Sequence, residues 1–208
     1  QLKENHFFDF TMIMTETIDN LNKRGDLYNR IKNDLRYLIV DEFQDVNPIQ
    51  AQLINELYKI SSSYITVVGD DDQNIYQWRG SNNIYIKNFV NEYQPVKEIK
   101  LEVNFRSSEG ITNLAESFIS VNPRINKKMI SAKMQTYDRK EDIIYNEFET
   151  INDENEFIAL TLIGLRGVSF KDQGIERGLD YSDFSILLRT WSKAQDIVEK
   201  LDKHGIPY

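Results

Sequence analysis

The sequence predicts an α/β protein in which helices flank a parallel sheet, and three observations carry that expectation. The apolar run Leu38-Ile39-Val40 leads without polar alternation into the acidic stretch Asp41-Glu42-Phe43-Gln44-Asp45, as a strand buried on both faces does. A helical pattern follows: Asn47 stands at the cap, Pro48 at the first position and Gln50 where it can reach back, while Ile49, Leu53, Leu57 and Ile60 form one apolar stripe. Tyr64 to Val68 then gives a second apolar run that also ends in acids, at Gly69-Asp70. Strand, helix and strand in this order imply a parallel pair whose acidic ends point to one crevice.

The other elements follow from spacing. Phe10, Ile13, Met14, Ile18 and Leu21 recur with helical period, Lys23 and Arg24 fill the last turn, and Gly25 is placed to end it. The cluster Phe7, Phe8 and Phe10 at the start of this helix reads as core packing. A short helix from Asp26 to Asp34 leads into the first strand, and Ser61 to Ser63 make the loop before the second. Ser81 opens a helix through Tyr93, Pro95 breaks it, and Glu98 to Val103 gives a further strand. Ser107 can cap the next helix, whose Ile111, Leu114, Ala115, Phe118 and Ile119 share a stripe. Pro123 to Arg139 is polar and basic, and reads as a solvated connection that can also touch phosphates. Beyond it, Asp142 to Phe148 is an edge-like strand, and Asp153 with Glu156 boxes a helix carrying Phe157, Ile158, Leu162 and Leu165. A loop with Gly174 and Gly178 comes next, then a buried strand from Phe184 to Leu188 ending at Arg189, which reads as structural. Ser192 with Gln195 boxes the last helix, where Ile197, Val198 and Leu201 face inward until Gly205 stops it.

Composition narrows the chemistry. With 208 residues and 40% hydrophobic content, the chain can bury a substantial core as one large domain or two small ones. A formal charge of -8 excludes a generally basic nucleic-acid coat and confines any DNA contact to a local groove. The absence of cysteine rules out a disulfide framework, a thiolate nucleophile and a cysteine-ligated zinc, and His6 and His204 have no partner at metal-ligand spacing. No apolar run reaches the roughly 20 residues of a membrane span, and the amino end lacks a basic region followed by an apolar core. The expected address is cytoplasmic, with no membrane partner.

Three stretches carry the chemistry. At the first strand end, one carboxylate can hold Mg²⁺ on a nucleotide's phosphates while its neighbour orients or deprotonates the attacking water; the competing reading is a solvated acidic turn. Gly69 to Ser81, GDDDQNIYQWRGS, puts Gln73 where an amide can touch a terminal phosphate or a catalytic water, and Tyr76, Trp78 and Arg79 directly after it. Those rings are either exposed for base stacking or buried by an amphipathic strand. In LEVNFRSS, Leu101 to Ser108, Arg106 at a strand end can neutralise a transferring phosphoryl group or serve as a surface ion pair.

The order and spacing of DEFQD, GDDDQNIYQWRGS and LEVNFRSS resemble the second, third and fourth motifs of superfamily 1 DNA helicases of the UvrD, Rep and PcrA type. The resemblance implies a RecA-like parallel sheet followed by the beginning of a second RecA-like lobe. It implies that residues 1-122 belong to the first, ATPase lobe, 123-139 to a connector and 140-208 to the second lobe, whose start Leu188-Arg189-Thr190 and Gly205-Ile206-Pro207-Tyr208 resemble. It further implies ATP and Mg²⁺ as cofactors and a single-stranded DNA, or a duplex with a single-stranded tail, as partner. By the same resemblance Asp41 binds Mg²⁺, Glu42 activates water, Gln73 senses the γ-phosphate and Arg106 is an arginine finger. Tyr76, Trp78 and Arg79 line the single-strand path. Phe105 stands where the family usually has tyrosine, keeping a ring for adenine and losing the hydroxyl.

The family's phosphate loop ends in Gly-Lys-Thr or Gly-Lys-Ser, and no Gly-Lys pair occurs among the 208 residues. The expectation is therefore an internal fragment, or a truncated relative, of a 3′ to 5′ ATP-dependent helicase or translocase, inactive by itself. The alternatives are a non-catalytic module that binds single-stranded DNA or a partner protein, and a structural domain whose acids solvate strand ends.

Overall fold

The computed structural model describes residues 8–132, 143–172 and 175–208. Two compact units, Gln1–Asp138 and Arg139–Tyr208, each enclose an apolar cluster of their own.

In the first unit, helix α1 (Phe10–Asn22) starts where the Asp9 carboxylate accepts from the Met12 N–H at 2.7 Å, and it buries Ile18 and Leu21. Phe8 and Phe10 are exposed rather than packed, and Phe7 lies outside the described residues. Gly25 does not end α1 either. Arg24 takes the left-handed conformation at φ 54°, which leaves Gly25 as the N-cap of α2 (Asp26–Asp34).

Strands β1 (Tyr37–Val40) and β2 (Tyr64–Val67) pair in parallel, with Tyr37 opposite Tyr64 and Val40 opposite Val67. Helix α3 (Pro48–Ser61) crosses between them from a complete capping box: Asn47 accepts from the Ile49 and Gln50 N–H groups, and Gln50 accepts from the Asn47 N–H. It runs through Ser61, and Ser62, at φ 51°, makes the turn. Burial along β1 and β2 alternates, contrary to the expectation of strands covered on both faces. The reason is that α3 and α4 (Ile84–Glu92) lie on one side, where Leu38, Val40, Ile65 and Val67 meet Phe43, Ile54, Phe89 and Tyr93. Tyr37 and Tyr64 stack on the open side with ring centroids 5.6 Å apart.

The chain after α4 departs further from expectation. Ser81 does not open that helix; it is buried, and its hydroxyl donates to Asn74. The strand expected over 98–103 shrinks to β3 (Val103–Asn104), which pairs in parallel with β4 (Ile130–Ser131). In α5 (Glu109–Ile119) the N-cap is Ser108, because the Ser107 N–H is taken by Asn104. Its buried positions are Gly110 and Thr112, and Ile111, Leu114 and Phe118 are exposed.

In the second unit, Asp142 lies outside the described residues and 143–150 form no strand. Thr150 caps α6 (Ile151–Leu165) through the Asp153 N–H, three residues ahead of the expected start. Where a loop was expected, β5 (Ser169–Asp172) and β6 (Ile175–Gly178) form an antiparallel hairpin. A Cβ on Gly178 would come 3.1 Å from the Gly167 Cα, a close backbone approach that a side chain would have to widen by a few tenths of an ångström. Phe184 to Leu188 is not a strand and pairs with none among the described residues; Leu187 is exposed, while Ile186 packs on the core. Helix α7 (Ala194–Lys203) follows a tight turn at Trp191–Lys193 with no side-chain cap, since the Ser192 hydroxyl pairs with Thr190 at 3.0 Å. Ile197, Leu201 and Ile206 close on Ala159, and Gly205 at φ 65° ends the helix as its position implies. Among the described residues no helix is long and apolar enough to cross a membrane.

Glu156, freed from the expected box, accepts from Lys200 at 2.9 Å and lies 2.8 Å from His204 Nε2. Lys200 first and His204 second hold its carboxyl below the ordinary value of 4.5, against a smaller opposing effect of desolvation. A depressed folded pKa stabilises above the unfolded value and is lost as pH falls through the folded one. Thermal melts of the chain should therefore lose a component of stability below about pH 4.5. Glu156→Gln should lack that component, and an unchanged acid profile in the variant would refute the assignment.

Candidate nucleotide site and nucleic-acid interface

Both acidic stretches sit where the strands end. After Val40 the chain turns sharply because Glu42 adopts φ 51°, a left-handed conformation that a residue without glycine's freedom holds at some cost. The Phe43 N–H then donates to the Val68 carbonyl at 2.9 Å, closing the first strand end onto the second. Asp41 and Glu42 are exposed; Asp41 Oδ1 accepts from the Glu42 N–H at 2.9 Å. Burial, and then the charge of Glu42, push the Asp45 carboxyl up, and its Oδ1 is enclosed without a hydrogen bond.

Gln44, which sequence reasoning passed over, is the centre of the arrangement. It is 1% exposed. Its amide Nε2 donates to Glu42 Oε2 at 2.7 Å, its Oε1 accepts from the Asp70 N–H at 3.0 Å, and its backbone carbonyl accepts from Asn74 Nδ2 at 2.6 Å. Gly69 makes room for it, since a Cβ there would stand 2.7 Å from Gln44 Oε1 and 3.1 Å from the Phe43 nitrogen. The available signal was an uncharged amide between Phe43 and Val46 in a stretch otherwise acidic.

Beyond Gly69, the Asp70 side chain caps the short turn Asp71–Gln73, accepting from the Asp72 N–H at 3.1 Å through Oδ1 and from Gln73 Nε2 at 2.8 Å through Oδ2. The carboxylates of Asp70, Asp71 and Asp72 bring oxygens within 4.8 Å of one another, a density of charge that needs a cation. The protein supplies its own. Lys127 Nζ bonds Asp70 and Asp71 and lies 3.2 Å from Asp72. Arg124 Nε lies 3.3 Å from Asp72 while its NH2 donates to Glu116 at 3.0 Å, and the Ile125 N–H donates to Asp71 at 2.8 Å. These two basic residues, expected on a solvated connection, are instead ion-paired and largely enclosed, because three acids in a row attract them from 50 residues away in sequence. Burial opposes the charge on both Asp70 and Lys127, yet their mutual bonds prevail: Asp70 is held below and Lys127 above the usual range.

Tyr76, Trp78 and Arg79 do not lie on a strand. They occupy a tight turn, Gln77–Arg79 with Tyr76 at its head, that Gly80 closes at φ 88°. Trp78 is 68% exposed and Tyr76 is also exposed, so the buried alternative for the rings is excluded. The Arg79 guanidinium stacks 4.5 Å from the Trp78 ring centre and 5.1 Å from that of Tyr76. One face of the indole is thus covered and the other is open. Asn74 and Ser81, bonded to each other at 3.1 Å, bracket this turn, and Asn74 hangs it from the Gln44 carbonyl.

Phe105 and Arg106 follow β3. Asn104 Oδ1 accepts from the Arg106 and Ser107 N–H groups, both at 2.8 Å, and so fixes the backbone while both side chains stay exposed. Asn104, Phe105 and Arg106 line one open depression. Among the described residues Arg106 makes no ion pair with the acids of the first two stretches. The structure thus joins Glu42 to Gln73 by hydrogen bonds and leaves Arg106 apart. For a divalent ion, Asp41 fits: it is exposed, a hard oxygen donor, and only one of its oxygens is engaged, whereas the Asp70–Asp72 group is already neutralised by Lys127 and Arg124.

Residues 1–94 match the UvrD/REP helicase N-terminal domain and residues 99–208 the UvrD-like helicase C-terminal domain. The whole chain is 34% identical to a Leuconostoc citreum protein named ATP-dependent DNA helicase PcrA, covering 26% of that protein. It is 30% identical to the putative ATP-dependent DNA helicase YjcD of Bacillus subtilis, covering 26%, and 32% identical to a PcrA of Staphylococcus epidermidis, covering 27%. The chain therefore spans about a quarter of the length of these relatives.

Replacing Gln44 by leucine keeps its bulk and removes the bridge between the strand ends. Gln44→Leu should cost about 1–3 kcal/mol in urea unfolding, because the Asp70 N–H loses its acceptor beside a side chain that is wholly enclosed. A variant as stable as the parent would show that the bridge is not needed.

Proposed function

The chain belongs to the UvrD-like helicase family, and from that premise we propose that it is part of an ATP-dependent 3′ to 5′ DNA helicase or translocase, working in the cytoplasm on single-stranded DNA or on a duplex with a single-stranded tail. The observation that carries the reading is the hydrogen-bonded line from Glu42 through Gln44 to Asp70 and Gln73, with the exposed Tyr76, Trp78 and Arg79 turn hung from the same Gln44. Such a line gives a nucleotide site and a base-stacking surface one mechanical support. We assign 1-122 to a first RecA-like lobe, 123-139 to a connector and 140-208 to the start of a second.

In this reading Asp41 holds Mg²⁺, which neutralises phosphate charge and polarises the phosphoryl oxygens. Glu42 orients the attacking water and takes its proton; Gln44 occupies one carboxylate oxygen and leaves the other to the water. Gln73, with its Nε2 committed to Asp70, presents its carbonyl oxygen to the water or, on rotating, its amide to the terminal phosphate. Arg106 meets charge that develops on the transferred group, and Phe105 offers a ring to the adenine. Trp78 takes a base on its open face while Arg79, held on the other, adds positive charge near the backbone. These 208 residues contain no Gly-Lys phosphate loop, and by themselves we expect them not to turn over ATP.

In the intact protein, steady-state phosphate release with saturating single-stranded DNA tests the chemistry. Arg106→Ala should lower turnover by about 1,000-fold while leaving nucleotide affinity nearly unchanged, and Glu42→Gln should abolish DNA-stimulated release. Equal losses of affinity and turnover in Arg106→Ala would contradict its role.

Trp78→Ala should weaken binding to oligo-dT at fixed salt by about 1–3 kcal/mol with little change in melting temperature, since the ring is exposed. A loss of stability near the ~3–5 kcal/mol of a buried tryptophan would instead make it core. Normal binding by the folded variant would remove Trp78 from the DNA path.

A further inference from the structure

Arg124 and Lys127, the two cations of 123–132 that pair with the acid loop, link that loop to other parts of the first unit. Lys127 holds one oxygen of Asp70, and the other oxygen of Asp70 holds Gln73. Arg124 joins Asp72 to Glu116, which lies on α5, the helix that directly follows Arg106. Three residues after Lys127 the chain enters β4, whose partner β3 leads into Phe105 and Arg106. Along the same border the Lys100 ammonium donates to the Asn126 carbonyl and the Lys128 backbone N–H donates to the Glu102 carboxylate. The acid loop and the Arg106 segment are thus fastened together by side chains of a third stretch.

We propose that Lys127 and Arg124 form a clamp that positions Gln73 against the β3–α5 segment bearing Arg106, with Lys127 acting through Asp70 and Arg124 acting through Asp72. Both are positioning residues, and neither touches substrate. The role rests on the reading of Gln73 as the residue that meets the terminal phosphate or its water. Charge supplies the mechanism: without the Lys127 ammonium, three carboxylates with oxygens within 4.8 Å repel one another, and Asp70, the most exposed of them, is free to rotate and release Gln73. Lys87 lies 3.8 Å from Asp71 and donates to the Pro123 carbonyl at 3.0 Å, so its ammonium does not stand in for Lys127 at Asp70.

The test uses the intact protein and DNA-stimulated ATP turnover for Gln73→Ala, Lys127→Met and the double variant. Lys127→Met should lower kcat about 10-fold with the KM for ATP within about 2-fold, and the double variant should be no slower than Gln73→Ala alone, because both changes remove one function. Lys127→Arg, which keeps the cation, should restore most of the rate. Losses that multiply in the double variant, or a Lys127→Met enzyme with parental kcat, overturn the clamp. If Lys127→Met does not fold, Asp70→Asn decides: it keeps the shape but cannot accept from Lys127 and Gln73 together, so it should show the same kcat loss in a folded protein, and parental turnover would overturn the proposal. A slow Gln73→Ala beside a normal Lys127→Met defeats the clamp alone, whereas a Gln73→Ala of parental rate defeats the reading of Gln73 and the clamp with it.

Discussion

One buried amide holds the functional end of this molecule together. Gln44 spends its donor on Glu42 and its acceptor on the Asp70 N–H, and its own carbonyl receives Asn74. Parallel strands have no hairpin to fix the relation of their ends, so the two acidic loops after β1 and β2 need some other tie. A glutamine suits this because it is neutral. A carboxylate at the same place could not donate to Glu42 and would add a fourth acid to an enclosed cluster. The neighbouring Gly69 follows from the same constraint, since the amide oxygen lies where a Cβ would stand.

The second constraint is electrostatic. The chain carries a net charge of -8, yet its densest acidic site is locally balanced by Lys127, Arg124 and Lys87. Asp71 is almost wholly enclosed and accepts from Lys127 through one oxygen and from the Ile125 N–H through the other, so neither oxygen is left without a donor. An ion cluster of this kind adds less to stability than to specificity of placement, because desolvation offsets much of the attraction. Its value here lies in fixing where the 123–132 stretch meets the loop that carries Gln73.

The residues to which we assign binding roles are ones that the fold leaves exposed on fixed turns. Trp78, Phe105 and Arg106 project from short turns whose backbones are tied by side-chain amides, Asn74 to the Gln44 carbonyl and Asn104 to the Arg106 and Ser107 N–H groups, while Asp41 stands at the strand end that the Phe43 N–H closes onto the Val68 carbonyl. The backbone is fixed while the side chains stay open to a ligand, which is the arrangement binding requires of loops.

Local sequence determined what local physics controls. The Asn47-Pro48-Gln50 box, the parallel order of β1, α3 and β2, the stop at Gly205 and the inward stripe of α7 depend on groups a few residues apart, so spacing suffices to read them. The motif order also led to the family, because residue types at fixed spacing survive without knowledge of the fold. Apolar periodicity, by contrast, says which side of an element is greasy and not whether anything covers it, as Phe10, Ile39, Leu114 and Phe118 demonstrate by their exposure. The expected strands at 98–102 and 184–188 had the right composition and form no ladder among the described residues, while β4, β5 and β6 pair despite weak composition. Only the tertiary structure decided that Gln44 bridges the acids and that Lys127 and Arg124 neutralise Asp70, Asp71 and Asp72. Those partners stand up to 57 residues apart, and which distant charge or amide fills an enclosed site is settled by three-dimensional proximity, to which spacing along the chain is blind.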